Sequence, residues 1–293
     1  MSRNLAYLML AGSALFWSGN FVMGRAFAGD IAPITLSYLR WSVALVCFLP
    51  FSWRAVWAQR EVIRQHWLLL FFMGTLGVAG FNTFAYLGLH STSATNALLI
   101  NSFIPILIIL LSRIYPGVAV PPLRFVGILV STAGVLTLVS RGEMANLLAF
   151  RINSGDLWVL GAAFIWAVYS ISLRWRPLAI TAPVFLSVTM IVGVLVLSPI
   201  FWLNLNHEPA FEFSAGNMLA IVYVALFASI GAYMFWNQGV KVVGAGTAGQ
   251  FIHLMPVFGT TMAVVFLSEQ LYWFHLVGAA AIALGIILSL RSK

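Results

Sequence analysis

Apolar residues run in blocks of about twenty along this chain, separated by short polar stretches. A helix needs ~20 such residues to cross the hydrocarbon of a bilayer. The blocks predict spans at 5–24, 31–51, 67–89, 93–114, 122–140, 154–174, 182–203, 217–240, 245–267 and 271–290. The longest connections, 52–66, 141–153 and 204–216, leave no room for a soluble domain. Short connections make neighbouring helices antiparallel. The expected fold class is therefore an all-α integral membrane protein with ten transmembrane helices.

Residue types recur at a shift of 149 to 151 positions. Gly12, Ala14, Trp17 and Arg25 return as Gly161, Ala163, Trp166 and Arg174. Ala32-Pro33 and Leu36-Ser37 return as Ala182-Pro183 and Leu186-Ser187. Phe84, Gly88, Ala94, Ala97, Pro105, Gly127 and Gly134 return as Phe235, Gly239, Ala245, Ala248, Pro256, Gly278 and Gly285. Two five-helix repeats follow, 1–141 and 154–293, in one structural unit. Five is odd, so the second repeat enters the bilayer from the opposite face. Inverted repeats of this kind mark secondary transporters, whose site lies between the halves near the midplane.

Charge sets the orientation. The chain is 62% hydrophobic and only 8% charged, against about 25% charged residues in a soluble domain. Its net charge of +8 is dispersed over short loops, which speaks against nucleic acid as a partner. Eleven of the fifteen basic residues fall on one side: Arg3, Arg54, Arg60, Arg64, Arg113, Arg124, Arg174, Arg176, Lys241, Arg291 and Lys293. Arg25, Arg141 and Arg151 fall on the other, with six of the seven acids, Asp30, Glu143, Asp156, Glu208, Glu212 and Glu269. The positive-inside rule then puts both termini in the cytoplasm. The single cysteine, Cys47, excludes an intramolecular disulfide, and the first apolar block reads as a retained helix.

The opening Gly155-Asp156-Leu157 of the second half leads into an alanine-rich run with Trp166 and Tyr169. Together with Ala94 to Pro105, Ala245 to Pro256, and Ser268-Glu269-Gln270 before Gly278 and Gly285, it resembles the drug/metabolite transporter superfamily in its ten-helix form with two EamA-type domains. The first half has Val118 where the shift would put a partner for Glu269. Within the superfamily the chain looks most like the YddG-type aromatic amino-acid exporters. That resemblance implies a bacterial inner-membrane carrier exporting aromatic or large neutral amino acids. Exporters of other metabolites or of drugs are the alternative it leaves open.

Polar groups inside spans are costly in hydrocarbon unless they face protein or a wet cavity. Asn82 and Tyr86 share a face of the third span, four residues apart. Tyr233 and Asn237 occupy the matching positions of the eighth, with the two side-chain types exchanged. Asn96 and Asn101 in the fourth span, and Gln250 and His253 in the ninth, add amides and an imidazole. Trp17 and Asn20 in the first span, and Trp166 and Tyr169 in the sixth, supply aromatic faces on which an apolar side chain can rest. Amides bond both ends of a zwitterion, so these residues are expected to line a substrate cavity. Arg40, flanked by Tyr38 and Trp41, is either an anchor for a substrate carboxylate or a structural donor to helix-end carbonyls. His253 is either a packing residue or a titrating one. Pro105 and Pro256 sit near mid-span and deprive the carbonyls of Asn101 and Ile252 of their helical donors; hinges are expected there. Close-spaced small residues, including Gly127 and Ser131, and Ala281 and Gly285, read as intramolecular packing, with a weak homodimer as the alternative to a monomer. An intramembrane enzyme fits poorly, because no nucleophile, base and oxyanion donors converge. No metal spacing or cofactor motif appears. The lipid bilayer and a neutral or aromatic amino acid are the expected partners.

Overall fold

Each apolar block folds as helix because a chain in lipid must satisfy its backbone polar groups internally. The computed structural model describes residues 1–27, 29–114, 121–148, 153–207, 211–267 and 270–291. Every regular element among them is helical. The first half holds α1 (Arg3–Ala26), α2 (Pro33–Ala58), α3 (Arg60–Gln65), α4 (Trp67–Gly74), α5 (Phe81–Ser91), α6 (Ala94–Asn101), α7 (Ile104–Ser112), α8 (Pro122–Val139) and α9 (Met144–Leu148). The second holds α10 (Ser154–Ser172), α11 (Ala182–Asn204), α12 (Ala215–Tyr223), α13 (Ala232–Val243), α14 (Ala245–Ala248), α15 (Leu254–Leu267) and α16 (Trp273–Arg291). Val118, Arg151, Glu208, Ser268, Glu269 and Lys293 lie outside the described residues.

Eight continuous helical stretches among the described residues are long and apolar enough to cross a membrane. The other two expected spans are helical but broken, each upstream of its proline. α6 stops at Asn101 and α7 begins at Ile104. In the second half a 3-10 turn, Gly249–His253, separates α14 from α15. Proline lacks an N–H and crowds the carbonyl four residues back, so the α pattern cannot continue through it. The segment 52–66, expected as a connection, is instead mostly helix. α2 runs on to Ala58 and α3 follows, with Trp53 and Trp57 exposed on its surface, as aromatic residues at a membrane interface would be.

Two further irregularities matter for the site. A π-helical stretch, Thr75–Gly80, joins α4 to α5, and another, Val224–Gly231, joins α12 to α13. They occupy equivalent positions of the two repeats.

Equivalent helices meet across the molecule. α8 packs antiparallel on α16, glycine against glycine. A Cβ added to Gly127 would lie 2.5 Å from the carbonyl oxygen of Gly285, and one on Gly134 would lie 2.7 Å from that of Gly278. Those small residues serve packing within the chain. α2 packs on α11, whereas α1 packs on α13 and α10 on α5. Each half thus lends its first helix to the other.

Candidate functional site

The exchange of first helices brings the mid-helix aromatic residues of both halves together. Trp17 of α1 and Trp166 of α10, equivalent by the repeat, meet edge to face with centroids 5.0 Å apart. Tyr233 of α13 packs edge-on to both, at 5.9 Å and 5.4 Å, and Trp236 closes on them at 5.3 Å and 5.5 Å. Phe81 covers Trp166 at 4.6 Å, Trp41 meets Tyr233 at 5.0 Å, and Tyr169 lies beside Trp166 at 5.1 Å. All of these side chains are buried.

Polar groups ring this cluster in repeat-related pairs. The Tyr86 hydroxyl donates to Asn20 Oδ1 at 2.7 Å. The Tyr169 hydroxyl donates to Asn237 Oδ1 at 2.8 Å. Asn20 and Tyr169 are repeat equivalents, as are Tyr86 and Asn237, so one bond is the image of the other with its two residues exchanged. A third bond joins equivalents to each other: Asn82 Nδ2 donates to the Tyr233 hydroxyl at 2.9 Å.

The π-helical stretches supply the remaining acceptors. A π turn widens the ladder and turns carbonyls away from their usual donors, a feature frequent at functional sites. The Gly77 carbonyl receives the Tyr233 hydroxyl. Its equivalent, the Ala228 carbonyl, receives Trp17 Nε1 at 3.1 Å and Arg40 Nη2 at 2.8 Å.

Arg40 is fully buried. Besides Ala228 it donates to Ser229 Oγ at 2.6 Å, Asn20 Oδ1 at 3.1 Å and the Tyr86 hydroxyl at 2.7 Å. Its guanidinium lies over the Trp41 ring, 5.1 Å from the centroid. All these partners are neutral, and no carboxylate pairs with it among the described residues. Three of its bonds go to side chains and one to a carbonyl of the π stretch, so Arg40 ties α2 to the cluster and sits where a substrate carboxylate at the centre would also meet it.

The other expected residues divide. Asn101 is buried at the α6–α7 break with neither amide atom bonded. It borders a space shared by Trp17, Asn20, Phe81 and Trp166, of only about 10 Å³. His253 is fully buried and engaged on both ring nitrogens, by Ser131 Oγ at 2.7 Å and the Ser102 carbonyl at 2.8 Å. Ser102 and His253 are repeat equivalents, so the two helix breaks touch. Pro105 and Pro256 each follow their break by a few residues. Gln250 sits apart and donates to the Arg124 carbonyl at 3.4 Å. Tyr38 also stands outside the cluster, stacked on Phe201 at 4.3 Å.

The two ends of the bundle differ. Where α10 begins, the buried Asp156 gathers donors. Thr92 Oγ1 reaches its Oδ1 at 2.5 Å, Asn96 Nδ2 reaches it at 3.4 Å, and the Asn153 N–H reaches Oδ2 at 2.9 Å. Where α10 ends, a cavity of about 420 Å³ opens between the ends of α7, α10 and α13.

This geometry belongs to a chain whose relatives agree on its class. The EamA-like transporter family matches it twice, over residues 4–140 and 153–291. The chain belongs to the EamA-like transporter family. It is a multi-pass membrane protein. A family relative from Bacillus subtilis, the uncharacterized transporter YyaM, is 26% identical over 96% of this chain and 92% of its own length. The aromatic amino acid exporter YddG of Ancylobacter novellus is 25% identical over 90% of each. A crystal structure 23% identical to the chain superposes with a TM-score of 0.80, covering 99% of this chain and 98% of that one, which shows the fold to be shared.

The sequence did not point to Trp236, Ser229 or the two π-helical carbonyls as parts of the cluster. Trp236 is three residues beyond Tyr233, one helical turn, and that spacing was a usable signal. The carbonyls leave no side-chain signature; the recurrence of Gly80 as Gly231 was the nearest sign.

Proposed function

We propose that this family member exports amino acids with large apolar or aromatic side chains across the bacterial inner membrane. It would do so by alternating access, through ten spans arranged as two inverted repeats, 1–141 and 154–293. Both termini are cytoplasmic in this reading, on the loop charges. The end marked by Asp156 then faces the periplasm, and the 420 Å³ cavity faces the cytoplasm.

One observation carries the substrate class. The centre holds aromatic rings packed edge to face beside polar atoms that lack a partner: both amide atoms of Asn101, Asn237 Nδ2, and the indole N–H groups of Trp41 and Trp236. An unsatisfied buried polar atom costs about 1–3 kcal/mol, which a zwitterion's ammonium and carboxylate would offset. The aromatic faces suit an apolar side chain. The name of the Ancylobacter novellus relative supports the same class. With only about 10 Å³ free, the centre must part to admit a substrate, and the touching breaks at Ser102 and His253 are where α6–α7 and α14–α15 would bend.

Facilitated movement down the substrate gradient fits better than proton coupling. Both nitrogens of His253 are already hydrogen-bonded, and Arg40 does not release its proton.

Proteoliposomes loaded with labelled phenylalanine, leucine or alanine test the proposal. Phenylalanine should leave fastest. Trp17→Ala and Trp166→Ala should slow phenylalanine more than alanine. Equal slowing of both, or no flux of any amino acid, would overturn the reading.

A further inference from the structure

The 420 Å³ cavity where α10 ends is separate from the aromatic centre, and its lining is one-sided in charge. Arg124, Arg174, Arg176 and Lys241 line it, and no acid does among the described residues. Positive-inside bias explains basic residues exposed at a cytoplasmic surface, and Arg174 and Lys241 are exposed. It does not explain Arg176. That side chain is 8% exposed, and its Nη1 is buried with no hydrogen-bond partner. Its guanidinium is held over the Phe185 ring, 5.3 Å from the centroid. Burial pushes the Arg176 guanidinium down from its ordinary value, as for a desolvated group. Ser170, on the same wall, is fully buried with its hydroxyl unpartnered. Both residues line the chamber, and each carries a donor without a partner just behind its wall; a turn of either side chain would present that donor to the chamber, and one of the two is cationic. Ile109, Leu173 and Val240 supply an apolar wall beside them, and the volume falls in the range of small-molecule pockets. Gly244, at φ +78° with open space where a Cβ would stand, keeps the mouth clear.

We propose that this chamber is a capture site for an oxyanion borne on an apolar body, held by Arg176 Nη1 and the Ser170 hydroxyl and drawn in by Arg174 and Lys241. The occupant is the carboxylate of a molecule about to be transported, so its role rests on the export reading, while the binding itself does not. A carboxylate gains two donors there, one of them charge-assisted. A cation gains none and meets four like charges.

The phosphate of an anionic lipid carries the same oxyanion chemistry, and the test separates the two sources. The full chain is placed in phosphatidylcholine nanodiscs and titrated by calorimetry with 3-phenylpropionate and with phenethylamine, which differ in charge but share an aromatic body. The acid should bind at least about tenfold more tightly than the amine. Arg176→Gln should weaken the acid about tenfold and leave the amine as tight or tighter, since one repelling charge is gone, and Arg176→Lys should recover part of the loss. Lys241→Gln, at the exposed rim and harmless to folding, should weaken the acid about two- to threefold and flatten its salt dependence. Equal binding of acid and amine, or an Arg176→Gln protein that melts normally and binds the acid unchanged, would overturn the proposal. In nanodiscs containing about one third phosphatidylglycerol the acid should still bind. Its displacement there would give the chamber to lipid and overturn the substrate role. Absent amino-acid flux with acid binding intact would sink the export reading and leave the site standing.

Discussion

The two ends of α1 and α10 are built from equivalent positions, yet they close by different chemistry. At the periplasmic end of the proposed orientation, Asn153, Asp156, Thr92 and Asn96 form one hydrogen-bonded group around a buried carboxylate. Carried across the repeat, those positions become Asn4, Tyr7, Val243 and Thr247. There Tyr7 stacks on Phe251 at a centroid distance of 5.8 Å, and no carboxylate stands in the place of Asp156. Hydrogen bonds to a charged acceptor are directional and about twice as strong as neutral ones; an aromatic stack permits sliding. A duplicated frame therefore acquires a latched end and an unlatched one, with the large cavity at the unlatched end.

Removing the latch should have the largest effect. Asp156→Ala takes away half of the capping box of α10, its bond from the Asn153 N–H, and the shared acceptor of Thr92 and Asn96, a loss on the order of 3 kcal/mol. The thermal midpoint should fall. A cysteine at Ser93, with Cys47 replaced, should react several-fold faster with an impermeant maleimide in intact cells. An unchanged labelling rate would show that the carboxylate does not hold that end shut.

The next effect tests whether the difference between ends is exchanged by bending. Pro105→Ala and Pro256→Ala restore a donor to the carbonyls of Asn101 and Ile252. One regained hydrogen bond, about 1 kcal/mol, should slow turnover by roughly fivefold while substrate affinity changes little. Parallel losses of rate and affinity would argue against bending at the breaks.

A smaller effect should come from copying the latch. Tyr7→Asp with Val243→Thr places a carboxylate and a hydroxyl where the repeat expects them, beside Asn4 and Thr247. Labelling of a cysteine at Lys241 in inside-out vesicles should slow about threefold, the low end for one hydrogen bond because the copied carboxylate lacks the packed surroundings of Asp156. Unchanged labelling would mean that the two ends are not interchangeable frames. The smallest effect is expected at His253. His253→Gln should leave the response of flux to an imposed pH gradient unaltered; a several-fold stimulation that vanishes in the variant would make the histidine, and not the asymmetry of the ends, the driver of the cycle.

Much of this was legible because lipid imposes a length code. The helical blocks emerge from apolar runs alone and the repeat from residue types recurring about 150 positions apart, and the exchange of Asn and Tyr between 82/86 and 233/237 already pointed to a shared centre. Three things were not legible. The π stretches at Thr75–Gly80 and Val224–Gly231 change the hydrogen-bond ladder without changing the hydrophobic pattern. Arg40 and Tyr38 are two residues apart on one helix, so on diverging faces: one enters the cluster and the other stacks on Phe201. The tightness of the centre depends on how bulky rings interlock, which no one-dimensional spacing encodes.

The contact between Asn82 and Tyr233 bears on ancestry. Two identical subunits related by a twofold axis must present the same side chain to itself wherever that axis passes. A self-facing asparagine or tyrosine there cannot form this hydrogen bond. Duplicating the half removes the restriction, since each copy then mutates alone. The amide–phenol bond and the one-sided carboxylate at Asp156 are available only once the two halves differ in sequence, which links the divergence of the duplicated halves to the difference between the two ends.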